Sequence, residues 1–338
     1  MSRRPLPCGL AVLRPRGRPR VTERQTVKPE LVLVGPMMPH VMEALDEDFT
    51  VHRLWEAEDR EALLAKIGGA VRAIGTNGHL GASAALMDAL PHLEIIGCYG
   101  VGVDSIDLPH AAKRNVIVTN TPDVLNDDVA NMAIALLLAT SRRICVGDRY
   151  VRDGRWLEAN MPLTRSIRGK RLGILGLGRI GKDIATKAAV FGMDISYHGR
   201  SRQNDVPYRY YDDLVAMAKD NDYLVAICPG GEATHNIVNR PVIDALGPEG
   251  VLINVARGSV VDEPELVAAL QDGRLGGAGL DVFAKEPKVP EALLTMDQVV
   301  LQPHAASATV ETRHAMGDLV VKNLRAHFAG QQVLTPVQ

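Results

Sequence analysis

The chain has 338 residues, 46% of them hydrophobic, a formal net charge of −2 and a mean hydropathy of zero. That balance predicts a globular protein of two domains, each large enough for a full core. It argues against a membrane protein, because the longest apolar run, Met132 to Ala139, is too short to span a bilayer and no signal-peptide pattern is visible.

Residues 1–28 differ from the rest, being rich in arginine with a single acid, Glu23, so the remaining body is acidic and offers nucleic acid no basic face. The stretch is expected to be a disordered tail without a role. Its "RPRGRPR" resembles an AT-hook, which confines any nucleic-acid contact to the tail, and its composition also has the flavour of a targeting peptide. Cys8, Cys98, Cys145 and Cys228 lie far apart without metal-ligand spacing, so no metal site is expected. They suit a reducing cytoplasm, with the three in the body as buried thiols.

From Pro29 the chain alternates strands and helices. Leu31 to Val34, Val51 to Leu54, Val71 to Ile74, Leu93 to Cys98 and Val116 to Thr119 read as strands, with helices such as Ser83 to Leu90 between them. Asn126 looks like an N-cap, followed by Asp127 and Asp128 in the first turn of a long apolar helix to about Arg143 that bridges two lobes. Strands at Leu172 to Leu175, Ile195 to His198, Tyr223 to Cys228, Val251 to Asn254, Ala278 to Val282 and Val299 to Gln302 then build a second sheet. The fold class is α/β, with parallel sheets wrapped in helices.

At the first strand of that second sheet, Gly176, Gly178 and Gly181 form G-x-G-x-x-G between a strand and a helix that carries Ile180, Ile184, Ala188 and Phe191 on one face. This is the order of a dinucleotide fold: a tight turn, a close approach to the pyrophosphate, and helix-on-strand packing. An acid about 20 residues on would select NAD. "YHGRSR" instead places Gly199 there, followed by Arg200, Ser201 and Arg202, donors suited to a 2′-phosphate. The cofactor expected is therefore NADPH or NADP, with NADH weaker.

Ligands in such sheets bind at the carboxyl ends of the strands. Those ends carry Pro229-Gly230, Arg257, Glu286 and His304; Asp262, with Glu265 three residues on, starts the next helix too late to contain Arg257. An arginine can hold a carboxylate with two bonds, and an imidazolium can give a proton to a carbonyl oxygen as hydride reaches its carbon. A glutamate beside the imidazole orients it and favours its charged form. These are the needs of 2-oxo acid reduction.

"GILGLGRIG", "NVARGSVVDE", "GAGLDVFAKEP" and "LQPHAASAT", in this order, make the chain resemble the D-isomer-specific 2-hydroxyacid dehydrogenases, and among them the glyoxylate and hydroxypyruvate reductases, over about residues 30–335. The resemblance implies Arg257, Glu286 and His304 as catalytic residues. The backbone of Val101 and Gly102 in "YGVGVD" would bind the substrate carboxylate with Arg257, a loop that could also form an anion nest by itself. Cofactor contacts would fall on Gly176, Gly178, Arg179, Ile180, Gly181, Arg200, Ser201, Arg202, Pro229, Thr234, Val255, Ala256, Asp281 and His304. Asp281 would hold the nicotinamide carboxamide or serve as an N–H acceptor in its loop. Asn77, Gly78 and His79 sit at another strand end, His79 more in keeping with a structural role.

The resemblance further implies two doubly wound, Rossmann-like domains with the cleft between them. Residues 29–125 plus 312–338 would form a split substrate domain and 126–311 the cofactor domain. Trp156 resembles a segment that reaches the partner's cleft in homodimers. Two alternatives accompany this reading: a dinucleotide-binding corepressor like the C-terminal binding proteins, and a dehydrogenase of the same fold acting on formate or phosphite.

Overall fold

The computed structural model describes residues 27–337, so the arginine-rich stretch, its AT-hook-like run and Cys8 lie outside the described residues. Strands β1 (Glu30–Leu33), β2 (Thr50–Arg53), β3 (Val71–Asn77), β4 (Ile95–Tyr99) and β5 (Ile117–Thr119) form one parallel sheet in the order β2-β1-β3-β4-β5. Strands β6 (Arg171–Leu175), β7 (Asp194–His198), β8 (Arg209–Tyr211), β9 (Tyr223–Ala226), β10 (Val251–Asn254), β11 (Gly277–Leu280) and β12 (Val299–Leu301) form a second, ordered β12-β11-β10-β9-β6-β7-β8. Every pairing within both sheets is parallel. The apolar runs are buried on both faces, as parallel strands between helix layers must be.

Helices α1 (Pro39–Asp48), α2 (Arg60–Ile67), α3 (Ala84–Asp88) and α4 (Leu108–Lys113) belong to the first sheet's half of the chain. Helices α5 (Asn126–Ser141) and α6 (Ile144–Arg152) follow, then α7 (Arg179–Val190), α8 (Leu214–Asp220), α9 (Arg240–Leu246), α10 (Glu263–Asp272) and α11 (Val310–Phe328). Helix α5 lies against the second sheet at close range: a Cβ on Gly279 would come within 3.0 Å of Leu136 Cβ. Helix α11 returns to the first sheet, where Val320, Val321 and Leu324 share a cluster with Leu31, Leu33 and Ile95. No single helix among the described residues is long and apolar enough to cross a membrane.

Three details depart from expectation. Asn126 is the first helical residue rather than the cap: Leu125 holds that position without a side-chain bond, and Asn126 donates back to Asp123 at 3.2 Å. Asp128 stays in the first turn as expected, where it accepts from the hydroxyls of Thr309 and Thr312. Cys145 is exposed on α6, whereas Cys98 and Cys228 are buried as expected. Strand β8 extends the sheet beyond the strands read from apolar runs, because "RYY" buries only Tyr211.

Candidate active site

Strand order reverses between β6 and β9, and the crevice outside their carboxyl ends is where such sheets bind nucleotides. Gly176 turns there with φ +103, a conformation glycine adopts freely, and a Cβ on it would press within 2.8 Å of Cys228. A Cβ on Gly181 would meet the Gly176 carbonyl at 2.2 Å, so this glycine lets α7 pack onto the turn. A Cβ on Gly178 would touch nothing within 4 Å. That open backbone at the start of α7, with the helix's first N–H groups facing out, fits a pyrophosphate.

Arg179 opens α7 and reaches Asp123 at 3.3 Å. Gly199 is also open on its Cβ side, and Arg200, Ser201 and Arg202 are exposed. Neither arginine pairs with an acid among the described residues. Their loop is pinned from below: Tyr210 donates to the Gly199 carbonyl at 3.2 Å, Gln203 N–H donates to the Tyr197 hydroxyl at 2.7 Å, and the Gln203 amide reaches Leu177 O at 2.7 Å. The last bond ties this loop to the glycine turn.

A cleft of about 820 Å³ continues from this crevice between the two sheets. Of the residues singled out from the sequence, it is lined by Asn77, Gly78, His79, Val101, Gly102, Ile180, Pro229, Val255, Ala256, Arg257, Asp281, Glu286 and His304. His79 is exposed and lines the cleft. Gly176, Gly178, Arg179, Gly181, Arg200, Ser201, Arg202 and Thr234 are not among the lining residues. Thr234 turns its hydroxyl into its own loop, donating to Pro229 O at 2.7 Å.

His304 Nδ1 lies 2.7 Å from Glu286 Oε2, and Glu286 Oε1 accepts from Phe283 N–H at 3.1 Å. Burial opposes charge on Glu286, but the bonds from His304 and Phe283 outweigh it and hold the carboxyl below its usual range. The His304 backbone is left-handed, φ +53, and its N–H donates to Asp281 O at 2.8 Å. Asp281 is buried and accepts from Ala305 N–H at 2.7 Å and Ala306 N–H at 3.1 Å; burial raises its pKa despite these bonds. The loop-acceptor reading of Asp281 therefore holds, and Asp281 also lines the cleft.

Arg257 follows β10, whose last residue, buried Asn254, folds the turn by accepting from Ala256 N–H at 3.1 Å and donating to Arg257 O at 3.0 Å. The guanidinium crosses the cleft: Nε donates to Asp104 at 2.8 Å and Nη1 to Ala256 O at 2.7 Å. Nη2 lies over Gly102, where a Cβ would sit 1.6 Å away. The N–H groups of Val101 and Gly102 have no acceptor among the described residues, and both residues line the cleft with Arg257.

Sequence reasoning passed over Asp104, although it ends the "YGVGVD" motif, and Asn254, which heads "NVARGS". Arg313 was missed as well: α11 brings it to the cleft beside Tyr99, and no local pattern announces that.

The model of the D-isomer specific 2-hydroxyacid dehydrogenase NAD binding domain matches residues 134–306. The chain is 51% identical to hydroxyphenylpyruvate reductase of Plectranthus scutellarioides, over 91% of this chain and 98% of that protein. It is 49% identical to glyoxylate/hydroxypyruvate reductase A of Arabidopsis thaliana, with the same coverage. A solved NADPH-dependent glyoxylate/hydroxypyruvate reductase from Sinorhizobium meliloti, in complex with NADP and malonate, superposes with a TM-score of 0.87 at 47% identity, covering 92% of this chain and 97% of that one. With this fold, this cleft and these relatives, the chain is an oxidoreductase that belongs to the D-isomer specific 2-hydroxyacid dehydrogenase family.

Proposed function

We propose that the protein reduces a small 2-oxo acid, glyoxylate or hydroxypyruvate, to the D-2-hydroxy acid with NADPH. The observation that carries this reading is the convergence of Arg257, the free N–H groups of Val101 and Gly102, and the His304–Glu286 pair in one cleft. The dihydronicotinamide, when bound, supplies the hydride. Arg257 and the two N–H groups hold the substrate carboxylate and thereby fix the 2-oxo carbon. His304, its Nδ1 engaged by Glu286, presents Nε2 to the carbonyl oxygen and hands over the proton that completes the alcohol. Glu286 keeps the ring in that orientation.

Cofactor contacts come from the glycine turn with Arg179 and Ile180, from Pro229, Thr234, Val255, Ala256 and Asp281, and from Arg200, Ser201 and Arg202 at the ribose. Gly199 without a carboxylate, beside two arginines that pair with no acid among the described residues, supports NADPH over NADH, and so does the NADP complex of the Sinorhizobium relative. Relatives named as reductases of 2-oxo acids favour this reading over a corepressor or a formate or phosphite dehydrogenase.

Residues 29–125 with 312–338 would form the substrate lobe and 126–311 the cofactor domain. A homodimer belongs to the same proposal, since Ile144, Val151, Trp156, Leu157 and Leu163 expose apolar surface on and after α6. So does a reducing, cytoplasmic setting for the free thiols Cys98, Cys145 and Cys228.

The test is NADPH oxidation across glyoxylate, hydroxypyruvate, hydroxyphenylpyruvate and 2-ketogluconate, with formate and phosphite assayed in the NADP-reducing direction. Glyoxylate or hydroxypyruvate should lead, with D-glycerate as the product of the latter. Predominant L-glycerate on chiral chromatography, or reduction of neither acid, would sink it.

A further inference from the structure

We propose that Asp104 is a positioning residue that fixes Arg257 before substrate arrives; the inference rests on Arg257 being the cation that holds the carboxylate. Asp104 sits in the loop after β4 of the first sheet, and Arg257 in the loop after β10 of the second. Their 2.8 Å bond therefore joins the two walls of the cleft. Both side chains are half-buried, so the pair is less screened than an ion pair on the open surface.

The guanidinium is planar, and two of its three nitrogens are engaged: Nε by Asp104 and Nη1 by the Ala256 carbonyl. The plane can no longer turn, and the nitrogen without an acceptor among the described residues, Nη2, is the one lying over Gly102 beside the unengaged N–H groups. Gly230 closes the slot from behind, since a Cβ there would come 3.0 Å from Arg257 Cγ and 3.2 Å from Asp104 Oδ2. A long side chain that would otherwise lose its rotamer freedom on binding has largely lost it already.

The same carboxylate repels an incoming carboxylate, so Asp104 improves alignment without improving affinity. Its contribution then belongs in kcat more than in KM. Asparagine keeps an oxygen for the Nε–H and drops the charge; alanine drops both.

The experiment measures glyoxylate and NADPH kinetics for the unsubstituted enzyme, Asp104→Ala, Asp104→Asn, Arg257→Ala and the Asp104→Ala, Arg257→Ala double variant. Asp104→Ala should lower kcat by about tenfold or more, as loss of alignment does, with a much smaller change in KM for glyoxylate. NADPH KM should stay unchanged, Asp104→Asn should recover most of kcat, and the double variant should be no worse than Arg257→Ala alone. Should Asp104→Ala not fold, Asp104→Ser, too short to reach Nε, takes its place.

The inference is overturned if Asp104→Ala keeps kcat within about twofold of the unsubstituted enzyme. It is equally overturned if Asp104→Asn is as impaired as alanine, or if the two losses multiply in the double variant. No turnover of any 2-oxo acid by the unsubstituted enzyme would overturn the assigned reaction and this inference with it.

Discussion

In the cleft Arg257 has two of its nitrogens engaged, by Asp104 and the Ala256 carbonyl, whereas Arg200 and Arg202, on the loop after β7, are exposed and pair with no acid among the described residues. On the proposed function both regions would face an anion, yet only Arg257 would have to place a reacting atom. Reaction geometry suffers from displacements of about 1 Å, so the cation that sets it is fixed beforehand. Discrimination between cofactors needs only a difference in binding energy, which exposed side chains on a pinned loop can supply. The bonds from Tyr210 and Gln203 hold the loop, not the guanidiniums.

The largest expected effect lies in the cleft. His304→Ala should lower kcat by about two to four orders of magnitude, the range for losing a general acid. NADPH affinity, read from its fluorescence on titration, should barely change. Near-normal turnover would reduce His304 to a loop residue.

On the exposed loop, Arg200→Ala or Arg202→Ala should each lower the NADPH-over-NADH ratio of kcat/KM by about one to two orders, equivalent to losing one charge-assisted bond of about 1.5–3 kcal/mol. Gly199→Asp should shift the ratio further, because it adds a ribose acceptor and a charge against the 2′-phosphate. If the two arginines share the phosphate, the single losses will not add. Equal use of both cofactors by the unsubstituted enzyme, unaltered by Arg200→Ala, would erase the contrast between the two regions.

A smaller effect sharpens the account of Glu286. Its native carboxyl is held below the usual value of 4.5, so its contribution to stability is complete above that value and is lost as pH falls through the lowered one. Glu286→Gln should therefore lower Tm most near neutral pH, and the deficit should shrink as the pH is taken below 4.5. Asp281, raised by burial, has the opposite sign and favours the fold increasingly as pH falls. A Tm deficit that grows toward acid would contradict this assignment.

The smallest effect is chemical. Burial pushes the Cys98 thiol up to about 12 and Cys228 up to about 11, which leaves them protonated and enclosed at neutral pH. Iodoacetamide should label Cys145 first among these three, without loss of activity, as mass spectrometry of peptides would report.

Much of this was legible in the residues. Strands buried on both faces read as apolar runs, and the glycine turn, Arg257, Glu286 and His304 all lie at strand ends, where chain order alone reveals them. What escaped depends on contacts between distant segments. The bond from Gln203 to Leu177 spans two loops, and the bond from Asp104 to Arg257 spans two sheets, so neither has a local pattern. Cys145 was misplaced because a cysteine is usually buried. Asn126 was misread because Asn before two acids fits a cap equally well as a first-turn residue.

The left-handed backbone of His304 carries a consequence for engineering. Such a conformation costs a non-glycine residue of order 1–3 kcal/mol, held here by the bonds of Asp281 to the backbone of His304, Ala305 and Ala306. His304→Gly would relieve that strain while removing the imidazole that pairs with Glu286 and is proposed to donate the proton. A screen for heat resistance would weigh that relief against the lost bond to Glu286, and any variant it kept at this position would lack the imidazole.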